Sequence, residues 1–227
     1  MRVVGSPNAH NLVTSSTDGT VCGWLADMLA QPQECLELTH PGQRKTNELA
    51  ITCLDFPDNE SSTFWIGTEE GDVYQANRFD RAGVKAGIDP QAVYRGHAAP
   101  VTGIDFHPLR GAIDFSDLFL TSSMDWSVKL WRAGATNKPG AMTGPISRPL
   151  GGDITPIRSF DGNDGYVQDV KWHSQHPAVF GTGDGLGTFE VWNLNQDVEV
   201  SEDLLTSDGA EQPFPDFSSL SFSSLVR

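Results

Sequence analysis

Asp125-Trp126-Ser127-Val128-Lys129-Leu130-Trp131, with Gly96-His97 upstream, is the stretch that decides how this chain folds. An acidic residue and a turn position open a run of alternating side chains. Val128 and Leu130 point one way and Lys129 and Trp131 the other, because successive residues of a strand face opposite sides of its sheet. The second half of the pattern recurs three times. Asp18-Gly19-Thr20-Val21-Cys22-Gly23-Trp24 repeats it near the start, and Gly185-Leu186-Gly187-Thr188-Phe189-Glu190-Val191-Trp192 near the end. Glu70-Gly71-Asp72-Val73-Tyr74-Gln75-Ala76 is a degraded copy, with Glu70 for the aspartate and Ala76 for the tryptophan.

A Gly-His pair followed by a tryptophan that closes an alternating strand resembles a WD repeat. Such repeats build four-stranded propeller blades. The resemblance implies a hydrogen-bond relay in which the buried indole N–H finds a hydroxyl on the second strand, then a histidine and an aspartate. In the third copy the relay is expected to use Ser122 or Ser123, His97, Asp125 and Trp131. Asp18 and Trp24 are the matching pair in the first copy, and Trp192 closes the fourth. Leu186 stands where the fourth copy would need an acid, so that relay is expected to be incomplete.

Strands a to d are placed outward from the propeller axis. Blade one is expected to use Val3-Val4, then 11–16, 20–25 and 35–38. Blade two takes 50–56, 63–68, 72–77 and 92–95, and blade three 101–106, 118–122, 127–132 and 156–160. Blade four takes 166–172, 178–182 and 188–193. The fold class is therefore all-β, an incomplete propeller of about four blades where seven are common. Residues 1–200 form the partial propeller, with a Gly/Pro-rich surface loop at 133–156. Residues 201–227 are a Ser-rich tail expected to be disordered. An unclosed set of blades leaves apolar faces and strand edges uncovered, so the chain reads as part of a larger protein.

Composition narrows the function classes. The formal net charge of −15 over 227 residues disfavours nucleic acid and anionic membranes as partners. No apolar run is long enough to insert in a membrane. Cys22, Cys35 and Cys53 lack metal-ligand spacing, so neither a disulfide nor a zinc site is expected and a reducing cytoplasm is the favoured compartment. His173 and His176 could be drawn as metal ligands, but the run reads as a turn after strand a, as does Phe106-His107-Pro108. Asp114 and Asp117 near His107 read as solvated loop residues, and Gly181, Gly183, Gly185 and Gly187 as a turn without a phosphate-binding lysine. No catalytic residue, metal or cofactor is expected. Trp126 occupies a turn position usually held by a small or polar residue, which makes it a candidate partner contact.

Asn8-Ala9-His10-Asn11-Leu12-Val13-Thr14 with Ser16-Thr17-Asp18-Gly19 and Trp24 resembles the C-terminal propeller of cytoplasmic dynein intermediate chains. So do Thr121-Ser122-Ser123 with Asp125 to Trp131, and Asp184-Gly185-Leu186-Gly187 with Trp192-Asn193-Leu194-Asn195. The resemblance covers about residues 3 to 200. It implies a non-catalytic scaffold subunit of the dynein motor that binds the heavy-chain tail in the cytoplasm and supports microtubule-based transport. In that family, light chains and dynactin bind through a segment upstream of the propeller, which these residues do not include. The other reading is a generic WD adaptor that takes a peptide partner, such as the substrate receptor of a ubiquitin ligase.

Overall fold

The computed structural model describes residues 1–6, 9–40, 49–58, 60–79, 87–111, 113–134 and 153–195. Most of the loop expected at 133–156, and the whole tail at 201–227, lie outside the described residues. Every regular element among those described is a strand. They are β1 (Arg2–Ser6), β2 (Ala9–Ser15), β3 (Thr20–Leu25), β4 (Glu34–Glu37), β5 (Ile51–Asp55), β6 (Thr63–Thr68), β7 (Val73–Asn77) and β8 (Ile88–Tyr94). The chain continues with β9 (Val101–Phe106), β10 (Leu118–Ser123), β11 (Val128–Arg132), β12 (Arg158–Phe160), β13 (Val167–Trp172), β14 (Val179–Asp184) and β15 (Phe189–Asn193).

Each group of consecutive strands forms its own antiparallel meander. The sheets run β1-β2-β3-β4, β5-β6-β7-β8, β9-β10-β11-β12 and β13-β14-β15. This is a partial β-propeller with its blades in chain order. The alternation read from the sequence explains the stacking. Both faces of a middle blade must be apolar, because each meets a neighbouring blade. On β6, Phe64 and Ile66 enter the core between blades one and two, while Trp65 enters the core between two and three. On β10 and β11, Phe119 and Trp131 face blade two, and Leu120, Val128 and Leu130 face blade four.

Charged residues tie the innermost strands together. Arg2, Asp55, Asp105 and Lys171 stand at equivalent places, opposite Val13, Trp65, Leu120 and Gly181 on the adjoining strands. Asp55 accepts the Phe106 backbone N–H at 3.0 Å, and Asp105 accepts that of Trp172 at 2.8 Å, so each aspartate binds the next blade's first strand. Arg2 lies 2.8 Å from Asp55, and Lys171 lies 2.7 Å from Asp105. Burial pushes the Asp55 carboxyl up to about 6, although Arg2 pulls the other way.

Two expectations are corrected. Cys22 and Cys35 form a disulfide, where none was expected. They face each other directly across β3 and β4, with Cα atoms 4.3 Å apart. The register of strands c and d brings them together, and spacing along the chain does not reveal it. The fourth strand of blade two starts at Ile88, well before Ala92. It therefore includes Pro90, which the outer strand tolerates because a proline on an edge breaks no second ladder.

Candidate interaction surface

The turns between strands b and c and the loops that enter each strand a lie on one face, since His97 of a loop meets Asp125 of a turn. His97 Nδ1 is 3.0 Å from Asp125 Oδ2, and His97 Nε2 is 2.7 Å from Thr121 Oγ1. The Trp131 indole N–H donates to the same Thr121 oxygen at 2.7 Å. A neutral His97 with its proton on Nδ1 satisfies every member. It donates to Asp125 and accepts the Thr121 hydroxyl, which accepts Trp131. Burial holds His97 below its ordinary value, against the opposing pull of Asp125. Burial alone would raise the Asp125 carboxyl, but hydrogen bonds from His97, Ser127 and the Ala98 N–H hold it well below the carboxylate range.

The relay hydroxyl is thus Thr121, in place of the expected Ser122 or Ser123. Thr121 lies on the Phe119 and Trp131 face of the blade, two residues along from Phe119, which pairs with Trp131. Ser122 falls on the opposite face, where its Oγ meets Thr102 Oγ1 at 2.9 Å. Ser123 follows a register shift and donates to the Ala99 carbonyl at 3.0 Å. Ser122 breaks the two-residue period that brings a hydroxyl under the tryptophan, and Ser123, although two residues on from Thr121, is displaced by the register shift.

The other blades carry variants. Trp24 donates to Thr14 at 2.9 Å and Trp192 to Thr182 at 3.2 Å. Asp18 accepts the Thr20 N–H at 2.9 Å within its own turn. In blade four, Asn163 stands in the loop where blade three has His97, and the exposed Leu186 replaces Asp125. Blade two has Ile66 and Ala76 in place of the hydroxyl and tryptophan. Its fully buried Tyr74 fills the gap, with its hydroxyl 3.1 Å from His40 Nε2 and donating to Asp72 at 3.1 Å. His40 also lies 3.8 Å from Glu70, the counterpart of Asp125. The degraded motif did not reveal His40, because its tryptophan partner is absent.

Trp126 is the unusual member of this face. Its φ is +69°, in the left-handed region, where Gly19, Gly71 and Gly187 occupy the same turn position with φ of 85°, 88° and 89°. A bulky side chain is disfavoured there. The Asn163 side-chain amide donates to the Trp126 carbonyl at 3.1 Å, and the indole meets the Tyr166 ring edge-on with centroids 6.4 Å apart. Gly185 N–H donates to the Tyr166 carbonyl at 2.9 Å, which brings Leu186 alongside.

The remaining residues singled out earlier have structural settings. His173 Nδ1 accepts the Gln175 and His176 N–H groups, each at 3.1 Å, which makes it a turn cap. Asp114 accepts the Ser116 N–H at 2.9 Å, and Asp117 lies 3.2 Å from Arg132. Gly181 and Gly183 lie within β14, and Gly185 and Gly187 in the turn that follows. His40, Glu70 and Asp72 present atoms within 4.8 Å of one another. Tyr74 is built into that group, and Arg95 approaches Asp72 at 3.4 Å, so the cluster is accounted for as blade two's relay.

The WD domain, G-beta repeat family matches residues 88–132. That span takes the last strand of blade two with the first three of blade three, so the sequence repeat straddles two blades. A Drosophila melanogaster protein named cytoplasmic dynein 1 intermediate chain is 41% identical over 210 residues, which is 92% of this chain. The chain is similar to a cytoplasmic dynein intermediate chain. It spans 28% of that relative's length. The intermediate-chain similarity extends over 92% of this chain, whereas the repeat match covers three strands of blade three and the strand before them.

Proposed function

We propose that this chain is the propeller portion of a non-catalytic scaffold subunit of cytoplasmic dynein, which binds the heavy-chain tail and supports microtubule-based transport in the cytoplasm. The observation that carries this reading is 41% identity over 92% of the chain, well beyond what a generic repeat requires. Light chains and dynactin would be engaged outside these residues. Propeller recognition relies on loops held by a rigid scaffold, so the heavy-chain contact falls on the loop-bearing faces. Trp126 is the proposed contact, and His97, Thr121, Asp125 and Trp131 hold the turn that presents it.

The full-length protein, used as bait in cytosol, is expected to recover dynein heavy chain, identified by mass spectrometry. Recovery of a ubiquitin ligase without heavy chain would favour the peptide-reading adaptor.

A further inference from the structure

Trp126, Tyr166 and Leu186 form an apolar cluster that crosses from blade three to blade four on the loop face. They are 49%, 53% and 72% exposed. The ring contact between Trp126 and Tyr166 and the backbone hydrogen bond from Gly185 to Tyr166 hold the three together. A methyl group at Gly165 would sit 3.2 Å from Leu186 Cγ, so Leu186 lies close over that loop. Blades one and two have glycine and polar residues at the same turn, Gly19-Thr20 and Gly71-Asp72. The apolar cluster is therefore peculiar to the junction of blades three and four.

Two further observations bear on what it binds. Trp126 keeps a left-handed backbone that a glycine would adopt without strain. Strain of this kind is retained where the side chain serves a purpose. The three segments that carry the cluster, 124–127, 161–166 and 184–188, contain Asp125, Asp161, Asp164 and Asp184 and no lysine or arginine. Lys129 lies beneath them, buried and donating to Ser159 at 2.8 Å. Both oxygens of Asp125 are engaged within the relay turn, which leaves the exposed Asp161 and Asp164 and the half-buried Asp184 on these loops. Their charge beside the apolar platform complements a segment that brings an apolar anchor flanked by cations. A lysine or arginine can also lie over the indole face.

We propose that this cluster is a docking site for a protein segment with a central apolar residue flanked by lysine or arginine. The inference rests on Trp126 being a partner contact, as proposed above, and not on the partner being the heavy chain.

The test titrates the full-length protein with two synthetic hexapeptides. Each has Leu-Phe at its centre, flanked on both sides by lysines in one and by glutamates in the other. The lysine peptide is expected to bind and to weaken as salt is raised. The glutamate peptide should bind about tenfold more weakly or worse. Trp126→Gly suits the turn's backbone, so it should keep the melting temperature while weakening the lysine peptide about tenfold. No binding of the lysine peptide, equal binding of both peptides, or an unchanged affinity in Trp126→Gly would each overturn the proposal. Heavy-chain recovery by the same variant separates the two readings. Lost peptide binding with retained heavy chain supports the docking site and moves the heavy-chain contact elsewhere. Unchanged peptide binding with lost heavy chain rejects the docking chemistry and leaves the heavy-chain reading standing.

Discussion

Blades two and three share strand order, hairpin turns and a histidine-acid pair, yet they anchor that pair differently. In blade three, Trp131, Thr121, His97 and Asp125 form one continuous chain of hydrogen bonds. In blade two, Ile66 and Ala76 make that chain unavailable, and Tyr74 reaches His40 from two positions earlier on the same strand face. Residues two apart on a strand share a face, so a phenol on one can replace an indole on the other. The blade architecture therefore depends on filling the space and satisfying the histidine, and the side chain that does so can change. Blade two also holds a fully buried Trp65 whose indole N–H has no hydrogen-bond partner among the described residues. The indoles of Trp24, Trp131 and Trp192 each have a threonine.

The largest test of this comparison is Trp131→Ala. Trp131 is fully buried against Tyr94, Phe119 and His97. The loss should be about 3–5 kcal/mol, read from the urea midpoint of the full-length protein. An unmoved midpoint would mean that blade three tolerates an empty tryptophan position, as blade two tolerates Ala76.

The contact between the two blades is tested by pH. Asp55 of blade two is raised to about 6 by burial, above an unfolded carboxylate near 3.8. A raised carboxyl opposes folding while it is ionised. That penalty, about 3 kcal/mol, is present above pH 6 and is relieved as the pH falls toward 4. His97 moves stability the other way. Its folded value is lowered, so its contribution is complete above about pH 6.5 and is lost on acidification. The stability of the wild type relative to Asp55→Asn isolates the Asp55 effect and is expected to rise as the pH drops from 7 to 4. A flat difference would show that Arg2 fully offsets the burial.

Thr121→Val separates the observed relay from the expected one. It leaves Trp131 and His97 each short of a partner and should cost about 2 kcal/mol. Ser122→Ala, which disturbs only the contact to Thr102, should cost less. The reverse order of effects would return the relay to Ser122.

The smallest effect is expected at Trp126→Gly. Relief of the left-handed strain opposes the loss of the Tyr166 contact and the entropy of glycine. The net change in unfolding free energy should stay below about 1 kcal/mol. A larger loss would make Trp126 a packing residue and remove its reason for exposure.

Much of the fold was legible because a blade is a local object. Alternating apolar residues, a turn acid and a closing tryptophan all fall within a few residues of each other, so β10, β11, β13 and β14 lie close to where the pattern puts them. The candidate site was legible in part. Hydrogen bonds join His97, Asp125 and Trp131 through Thr121, whereas the sequence reading put Ser122 or Ser123 in that place. The step to Ser122 changes faces and Ser123 lies past a register shift, while the sequence Thr121-Ser122-Ser123 offers a hydroxyl at every step. Tyr74 and His40 escaped notice because the motif that would flag them is absent from their blade.

Sequence alone determined that this chain is built of repeated antiparallel hairpins, that Trp131 closes one of them, and that Trp126 sits at a turn beside the acidic Asp125. These are properties of residues near one another along the chain. Tertiary structure alone decided the pairing of Cys22 with Cys35, the ties from Asp55 and Asp105 to the next blade, and the gathering of Trp126, Tyr166 and Leu186 into one surface. Each of these depends on the register between strands or on how one blade stacks against the next. Those distances are set by packing among residues far apart in sequence, and no local pattern encodes them.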